Sequence, residues 1–407
     1  MNFFKVSSVD ETKDIIDEYF HLEVEGEQVD IFNCVNRIAF DYIRADCNIP
    51  EFKRSTVDGF AVNSRDVFGA TEAIPAILTL KGEILMGKVT DFNIVDGECA
   101  YVPTGGMLPE YADSVIMLEY TQKLDEDTIL VYSPVASGDN VIQKGEDIQN
   151  DNIVIRKGEK IRPYEVGVLA SIGIKHVNVC KKIKVGIIST GNELIACEDE
   201  LTLGKIRDIN TYMLWAAIID DGAEPINYGI VKDDYKLLKH TICRATEECD
   251  ILVISGGSSV GKKDQTIKAI EDFEDGKILV HGVSVKPGKP TIVAKKGDKI
   301  IFGLPGHPLA CSIVYIIFIR EYINKAMCYK KEVYAVKSIM SINYHKAKGR
   351  EEYLPVALEN DGDRIIAKPI FGKSGLISTF SRAWGYIKIE KDLEGLREGQ
   401  VVEIYKL

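Results

Sequence analysis

Apolar positions recur along this chain with two different periods, and the places where one period gives way to the other divide it into regions. Residues 9 to 24 carry acidic residues early and set Ile15, Ile16, Tyr19 and Phe20 on one face, which predicts a helix. From about 51 to 140 the pattern becomes short alternating runs, AILTLKGEIL, ECAYVP, SVIMLEY and TILVYS, parted by glycine and acidic turns. That is the pattern of a small β-domain. Residues 141 to 180 return to a mixed texture, with a helix expected from Pro163 to Ser171.

From Lys184 onward strand and helix alternate. KVGIIS reads as a strand, and Asn210 to Asp221 as a helix capped by Asn210 and stopped by Gly222. Then follow INYGI, a helix from about Asp233 to Thr246, DILVIS, a helix after Asp264, ILVHGVSV, KIIFG and a long helix from Pro308 to about Cys328. Such alternation implies a doubly wound, mostly parallel sheet. Beyond 330 the runs shorten again, with a turn at Asn360-Asp361-Gly362-Asp363, and predict a C-terminal β-barrel or sandwich. The fold class is therefore multidomain α/β plus β. A mixed linker domain spans 1–50 and 141–180, an inserted small β-domain 51–140, the doubly wound domain 181–328 and the C-terminal β-domain 329–407.

Composition narrows the function classes. The longest nearly unbroken apolar stretch, Leu309 to Ile319, is well short of the ~20 residues a membrane helix needs. The N-terminus MNFFKVSSVDETKD has no basic head followed by an apolar run, so a cytoplasmic protein is expected. The nine cysteines form no CxxC pair and the six histidines no HxxxH, which argues for free thiols and against a zinc site. A formal charge of −12 argues against non-specific nucleic-acid binding. It also means that an anionic ligand would need positive groups concentrated locally, and Lys262, Lys263, Lys286 and Lys289 are the candidates.

Three loops that follow apolar runs have the chemistry for such a ligand. Ser255-Gly256-Gly257-Ser258-Ser259-Val260-Gly261 lets backbone N–H groups approach a phosphate, with Ser258 and Ser259 as donors and Asp264 as a carboxylate for Mg²⁺. The same segment also reads as a glycine-rich turn with Asp264 as a helix cap; it matches neither the P-loop nor GxGxxG. Lys286-Pro287-Gly288-Lys289-Pro290 sets two lysines in a turn stiffened by prolines, which suits a compact oxyanion. Gly303-Leu304-Pro305-Gly306-His307-Pro308 is the third. In open α/β sheets, loops at strand ends are where ligands bind. Ser189-Thr190-Gly191-Asn192-Glu193 fits either binding of a heterocycle or sugar hydroxyl, or a capping role for Thr190 or Asn192. Asp233-Asp234 opens a helix, where carboxylates are favoured by the dipole. In the N-terminal half, the segments around Asp58, Thr104 and Asp147 read by themselves as hairpin turns.

Taken together and in order, STVDGFAV, PTGG with ADSVIMLE, KGEDI, STGNEL, RDINTYML, SGGSSVGKKD, KPGKP and GLPGHP resemble the molybdopterin molybdenumtransferases, relatives of the C-terminal domain of gephyrin and of its plant counterpart. The resemblance covers essentially the whole chain. It implies insertion of molybdate into adenylylated molybdopterin, with Mg²⁺-dependent pyrophosphate cleavage and release of AMP. It further implies that Asp58, Asp147, Glu193, Asp233 and Asp264 are the functional carboxylates, with Asp264 and Asp233 as the Mg²⁺ candidates. Thr104, Ser259, Lys286, Lys289, Pro290, Pro305, Pro308, Arg350 and Ser374 match substrate-contacting positions. A homodimer is implied in which the small β-domain of one subunit faces the cleft of the other, the linker domain serving dimerisation. The protein partners implied are the molybdopterin adenylyltransferase and acceptor molybdoenzymes, with neither nucleic acid nor membrane. Departures from the family are Asn192 where many members carry Asp, Gly282 where some carry lysine, His307 where Asn is commoner, and Lys53 before STVDG. The alternative class is a non-catalytic protein that stores the cofactor or acts as a scaffold.

Overall fold

A computed structural model describes residues 6–256, 265–329 and 335–407. The alternating segment forms a six-stranded sheet in the spatial order Glu224–Val231, Lys184–Thr190, Ile251–Ser255, Lys299–Leu304, Ile292–Lys296 and Gly276–His281. The first four run parallel, and Ile292–Lys296 runs against both of its neighbours. Successive residues point to opposite faces, so Val185, Ile187, Val253 and Phe302 join one buried cluster while Ile188, Leu252, Ile254 and Ile301 join the other. Both faces are covered, which is why these strands read as unbroken apolar runs.

This topology collects the loops. The parallel strands end at Thr190, Val231, Ser255 and Leu304 along one edge. Ile292 pairs with both Gly303 and His281, so the reversed strand begins at that same edge. The KPGKP turn just before it is thereby brought beside the loops that follow the parallel strands.

The structure departs from the sequence expectation at several elements. The run ILVHGVSV is not one strand: Gly282 adopts φ +94°, and Val285–Lys286 leaves the sheet to pair in parallel with Glu351–Glu352 of the C-terminal domain. The first helix ends at Tyr19 rather than 24, with extended backbone at Phe20. Beyond it, Leu22 and Val24 alternate into the core, a period of two that a helix does not allow. Val9, Ile16 and Phe20 pack into the core of the sheet domain, not into that of the linker. Asn210 is not the cap of its helix. Asp208 takes that role, accepting from the Thr211 backbone at 3.1 Å and from its hydroxyl at 2.6 Å. The Asn210 amide instead donates to Ser255 Oγ at 2.7 Å and to the Gly306 carbonyl at 2.9 Å, tying two loops of the collecting edge together.

The helix that starts at Pro308 runs to Ala326 through a π-helical segment, Tyr315–Arg320. Asp221 accepts from Tyr315 Oη and from Arg320 Nε, both at 2.8 Å, and anchors that segment. The strands 335–340, 351–361, 364–369, 385–389 and 401–406 form a closed barrel, because Glu351–Asp361 pairs with both Arg364–Pro369 and Gly385–Ile389. The inserted domain is a six-stranded, mostly antiparallel sheet between Gly59 and Val131. Antiparallel pairing of 26–30 with 176–180, 43–44 with 153–155, and 54–55 with 141–142 makes the linker from both sides of that insertion.

Candidate functional site

The KPGKP turn lies between a strand of the barrel and a strand of the sheet, so its lysines sit at the seam of the two domains. Lys286 is register-paired with Glu352, and its ammonium is 2.9 Å from Glu352 Oε1. The same oxygen accepts from the Tyr344 hydroxyl at 2.6 Å. Burial first, and then the Glu352 carboxylate, push the Tyr344 phenol up, so it stays a donor. At Gly288, φ is +128° and an added Cβ would fall 2.8 Å from Val314 Cγ2. Only glycine lets the turn lie this close to the helix that begins at Pro308.

A cavity of ≈ 380 Å³ opens at this seam, and Lys286, Lys289, Pro290, Pro305, Arg350 and Ser374 all line it. Residues far apart in sequence thus converge, with Arg350 and Ser374 supplied by the barrel domain. Pro308 is buried at the first position of its helix and does not line the cavity. His307 Nδ1 lies 2.7 Å from Ser374 Oγ, and the Leu309 N–H donates to the Ser374 carbonyl at 3.1 Å. The histidine that departs from the family's usual asparagine therefore reaches the barrel. Donors dominate this wall: two ammonium groups, a guanidinium and a hydroxyl, a set suited to an acceptor-only oxyanion.

Farther along the same edge stand the carboxylates. Asn192 Oδ1 accepts from the Asp233 backbone N–H at 3.1 Å, and Gln265 Nε2 donates to the Asp233 carbonyl at 3.3 Å. Asn192 thus keeps the acceptor that an aspartate would offer while removing its charge. The Asp233 and Glu193 side chains are exposed at this rim. Asp234, not Asp233, caps the following helix through its bond from the Leu237 N–H at 2.9 Å. Ser259 and Asp264 lie outside the described residues, as do Ser258, Lys262 and Lys263.

Asp58, Thr104 and Asp147 belong to the inserted sheet and the linker, and none of them lines the cavity. Thr104 donates its backbone N–H to Asp58 Oδ1 at 2.7 Å and its hydroxyl at 3.0 Å, and these bonds hold the Asp58 carboxyl below the usual carboxylate range. Asp147 is exposed beside the Ile49 carbonyl, to which its N–H donates at 3.1 Å.

Glu352, Tyr344 and Asn210 were not legible as site residues. Glu352 and Tyr344 meet Lys286 only through barrel pairing, and Asn210 occupies a position that local rules read as a cap. Among the described residues no group of three His, Cys, Asp or Glu is placed to hold a metal ion. Mg²⁺ does not require one: it keeps several waters and takes one or two carboxylates together with substrate phosphates. The exposed oxygen donors at Asp233 and Glu193 fit that requirement. No helix among the described residues is long and apolar enough to cross a membrane.

Comparison with known proteins agrees with this architecture over nearly the whole chain. Residues 7–173 match the MoeA N-terminal region (domain I and II), 186–325 the probable molybdopterin binding domain, and 337–407 the MoeA C-terminal region (domain IV). A Methanocaldococcus jannaschii protein named for molybdopterin biosynthesis is 35% identical over 401 residues, 96% of this chain and 95% of that one. The molybdopterin molybdenumtransferase of Staphylococcus aureus is 32% identical over 377 residues, 91% of this chain and 88% of its own. The crystal structure of the molybdopterin biosynthesis MoeA protein from Pyrococcus horikoshii OT3 superposes with a TM-score of 0.87 at 32% identity, covering 99% of this chain and 100% of that one. A fold shared from end to end, at this identity, places the chain in the MoeA family, the family of the molybdopterin molybdenumtransferases.

Proposed function

We propose that this protein inserts molybdate into adenylylated molybdopterin, with Mg²⁺-dependent cleavage of the pyrophosphate and release of AMP. The observation that carries the reading is the convergence of Lys286, Lys289, Arg350 and Ser374 on one cavity at the ligand-binding edge of the sheet. Molybdate is a tetrahedral dianion with oxygen acceptors only, and these side chains offer it donors. In this reading the adenylylated pterin lies along the edge toward Asn192 and Asp233, past the strand ends at Ser255 and Leu304, beside Pro290 and Pro305. Ser259 and Pro308 enter as substrate positions through the family resemblance alone.

Glu193 and Asp233 act on the pyrophosphate in this reading, together with Asp264, whose role is taken from the family resemblance alone because it lies outside the described residues. Asp233 and Asp264 would hold the Mg²⁺, which supplies positive charge to the phosphate oxygens as the bond breaks. The lysines act in the same sense, adding positive charge beside the developing charge. Asp58, Thr104 and Asp147 complete the site across a homodimer interface. An apolar strip on the helix Asn210–Asp220, made by Tyr212, Trp215 and Ile219, is exposed in the single chain and suits such an interface.

The deciding experiment follows AMP release from adenylylated molybdopterin with Mg²⁺, with and without molybdate, and with no ATP. Release that depends on molybdate is expected. Tight binding of the nucleotide without release would instead fit a storage or scaffold protein.

A further inference from the structure

Glu352 takes no part in the reaction as set out above, yet it lines the cavity beside the cations. An acid there opposes the binding of an anion unless it does something else. We propose that Glu352 is a positioning residue that fixes the Lys286 ammonium for the incoming oxyanion, a proposal that rests on the oxyanion reading of this cavity.

Lys286 needs such a constraint. Its side chain is 55% exposed, and an ammonium on a four-carbon stem has no preferred direction of its own. Glu352 is the opposite case. It is 6% exposed at the side chain, sits in the long strand Glu351–Asp361, and is the register partner of Lys286. Its Oε1 is held by the Tyr344 hydroxyl at 2.6 Å, and the Tyr344 ring is stacked on Phe371 with centroids 6.2 Å apart. The carboxylate is therefore in place before any ligand arrives. A carboxylate this buried is tolerated only when paired and hydrogen-bonded, and Lys286 and Tyr344 meet both conditions.

The pairing leaves Lys286 useful. Of its three N–H donors, one goes to Glu352 and two remain for ligand oxygens. Charge agrees: Lys286, Lys289 and Arg350 bring three positive charges, Glu352 one negative, and the surplus of two matches a tetrahedral dianion.

The test measures AMP release against molybdate concentration for the full chain, E352Q, K286A, the double variant and Y344F, with thermal unfolding of each. E352Q should raise KM for molybdate about 10-fold with kcat within about twofold, the pattern of lost binding rather than lost chemistry. K286A should raise KM at least as much, and E352Q should add less than about twofold on top of it, because the effect passes through the lysine. Y344F keeps the charge but removes one bond to Oε1, so KM should rise about threefold. An unchanged or lower KM in folded E352Q overturns the proposal, and so does a 10-fold effect that persists in the K286A background. Should E352Q fail to fold, Y344F decides: an unchanged KM there overturns it equally. If instead K286A leaves KM for molybdate untouched, the oxyanion reading itself falls and takes the proposal with it.

Discussion

His307 Nδ1 lies 2.7 Å from the Ser374 hydroxyl, a bond that ties the turn after the Lys299–Leu304 strand to the C-terminal barrel. Ser374→Ala removes that bond but keeps the Leu309 N–H to Ser374 carbonyl contact, so the loop stays attached. The net loss should be about 1 kcal/mol in urea unfolding, the worth of an ordinary hydrogen bond. KM for molybdate should rise severalfold in the same variant, since the hydroxyl lines the cavity. A variant that lost stability yet kept the wild-type KM would assign Ser374 to domain closure alone.

Gly288 offers a purely steric test. Its φ of +128° and the 2.8 Å approach of Val314 Cγ2 leave no room for a side chain. Gly288→Ala should cost roughly 1–3 kcal/mol, the range for overpacking, and should displace both lysines of the turn. Denaturant unfolding gives the first number, and the molybdate dependence of AMP release checks the second. Gly362, with φ +60° in an open hairpin turn and nothing near its Cβ position, is the control for backbone strain without crowding.

How much of this was legible follows from where the determining contacts lie. The doubly wound sheet could be read because its central strands, Lys184–Thr190, Ile251–Ser255 and Lys299–Leu304, are buried almost throughout and so stand out as apolar runs. The lysine turn could be read as chemistry, because residue type and proline spacing are local. Its position could not: Val285–Lys286 is recruited by a barrel strand more than sixty residues later, a pairing no local pattern announces. Asn210 failed for a related reason. Local rules make an asparagine at a helix start a cap, whereas here its amide is claimed by Ser255 and Gly306 from two other loops. The first helix was read too long because Leu22 and Val24 are apolar, and apolar residues after a helix look like more helix until their period is checked.

The π-helical segment 315–320 depends on a buried ion pair. Asp221, 1% exposed at its side chain, accepts from both Tyr315 and Arg320. Asp221→Asn keeps an oxygen for the tyrosine but leaves Arg320, 14% exposed, without its counter-charge. Removing one partner of a buried pair costs roughly 3–5 kcal/mol. Urea unfolding should show a loss of that size, with little change in KM for molybdate, since neither residue lines the cavity.

The Asp58 carboxyl is held below the usual range by the Thr104 N–H and then by its hydroxyl. A carboxyl whose folded-state pKa is depressed stabilises the fold at pH above its unfolded value, about 3.9 for aspartate. That contribution is lost as pH falls through the lower folded value. The stability gap between the wild type and Asp58→Asn should therefore be steady from about pH 5 to 7 and close below about pH 4. Equilibrium unfolding across that range reads it directly, and a gap that widened on acidification would contradict the Thr104 assignment.

Asp58 and Thr104 sit on one domain and Lys286 on another, and the cavity lined by the lysine includes neither. If the reaction needs both groups and a second copy brings them together, as proposed, subunit mixing detects this without knowledge of the interface. Assayed at molybdate well below the wild-type KM, Asp58→Asn and Lys286→Ala should each retain about a tenth or less of wild-type activity alone. Mixed and allowed to exchange, about half of the dimers carry one copy of each, and each of those has one site with both residues intact. Activity should then return to roughly a quarter of wild type. Trp215→Glu, placed on the exposed apolar strip of Tyr212 and Ile219, should abolish the rescue and shift the protein to monomer in sedimentation. If mixing restores nothing while the dimers demonstrably exchange, Asp58 and Lys286 serve the same subunit, and the inserted domain must reach the cleft of its own chain.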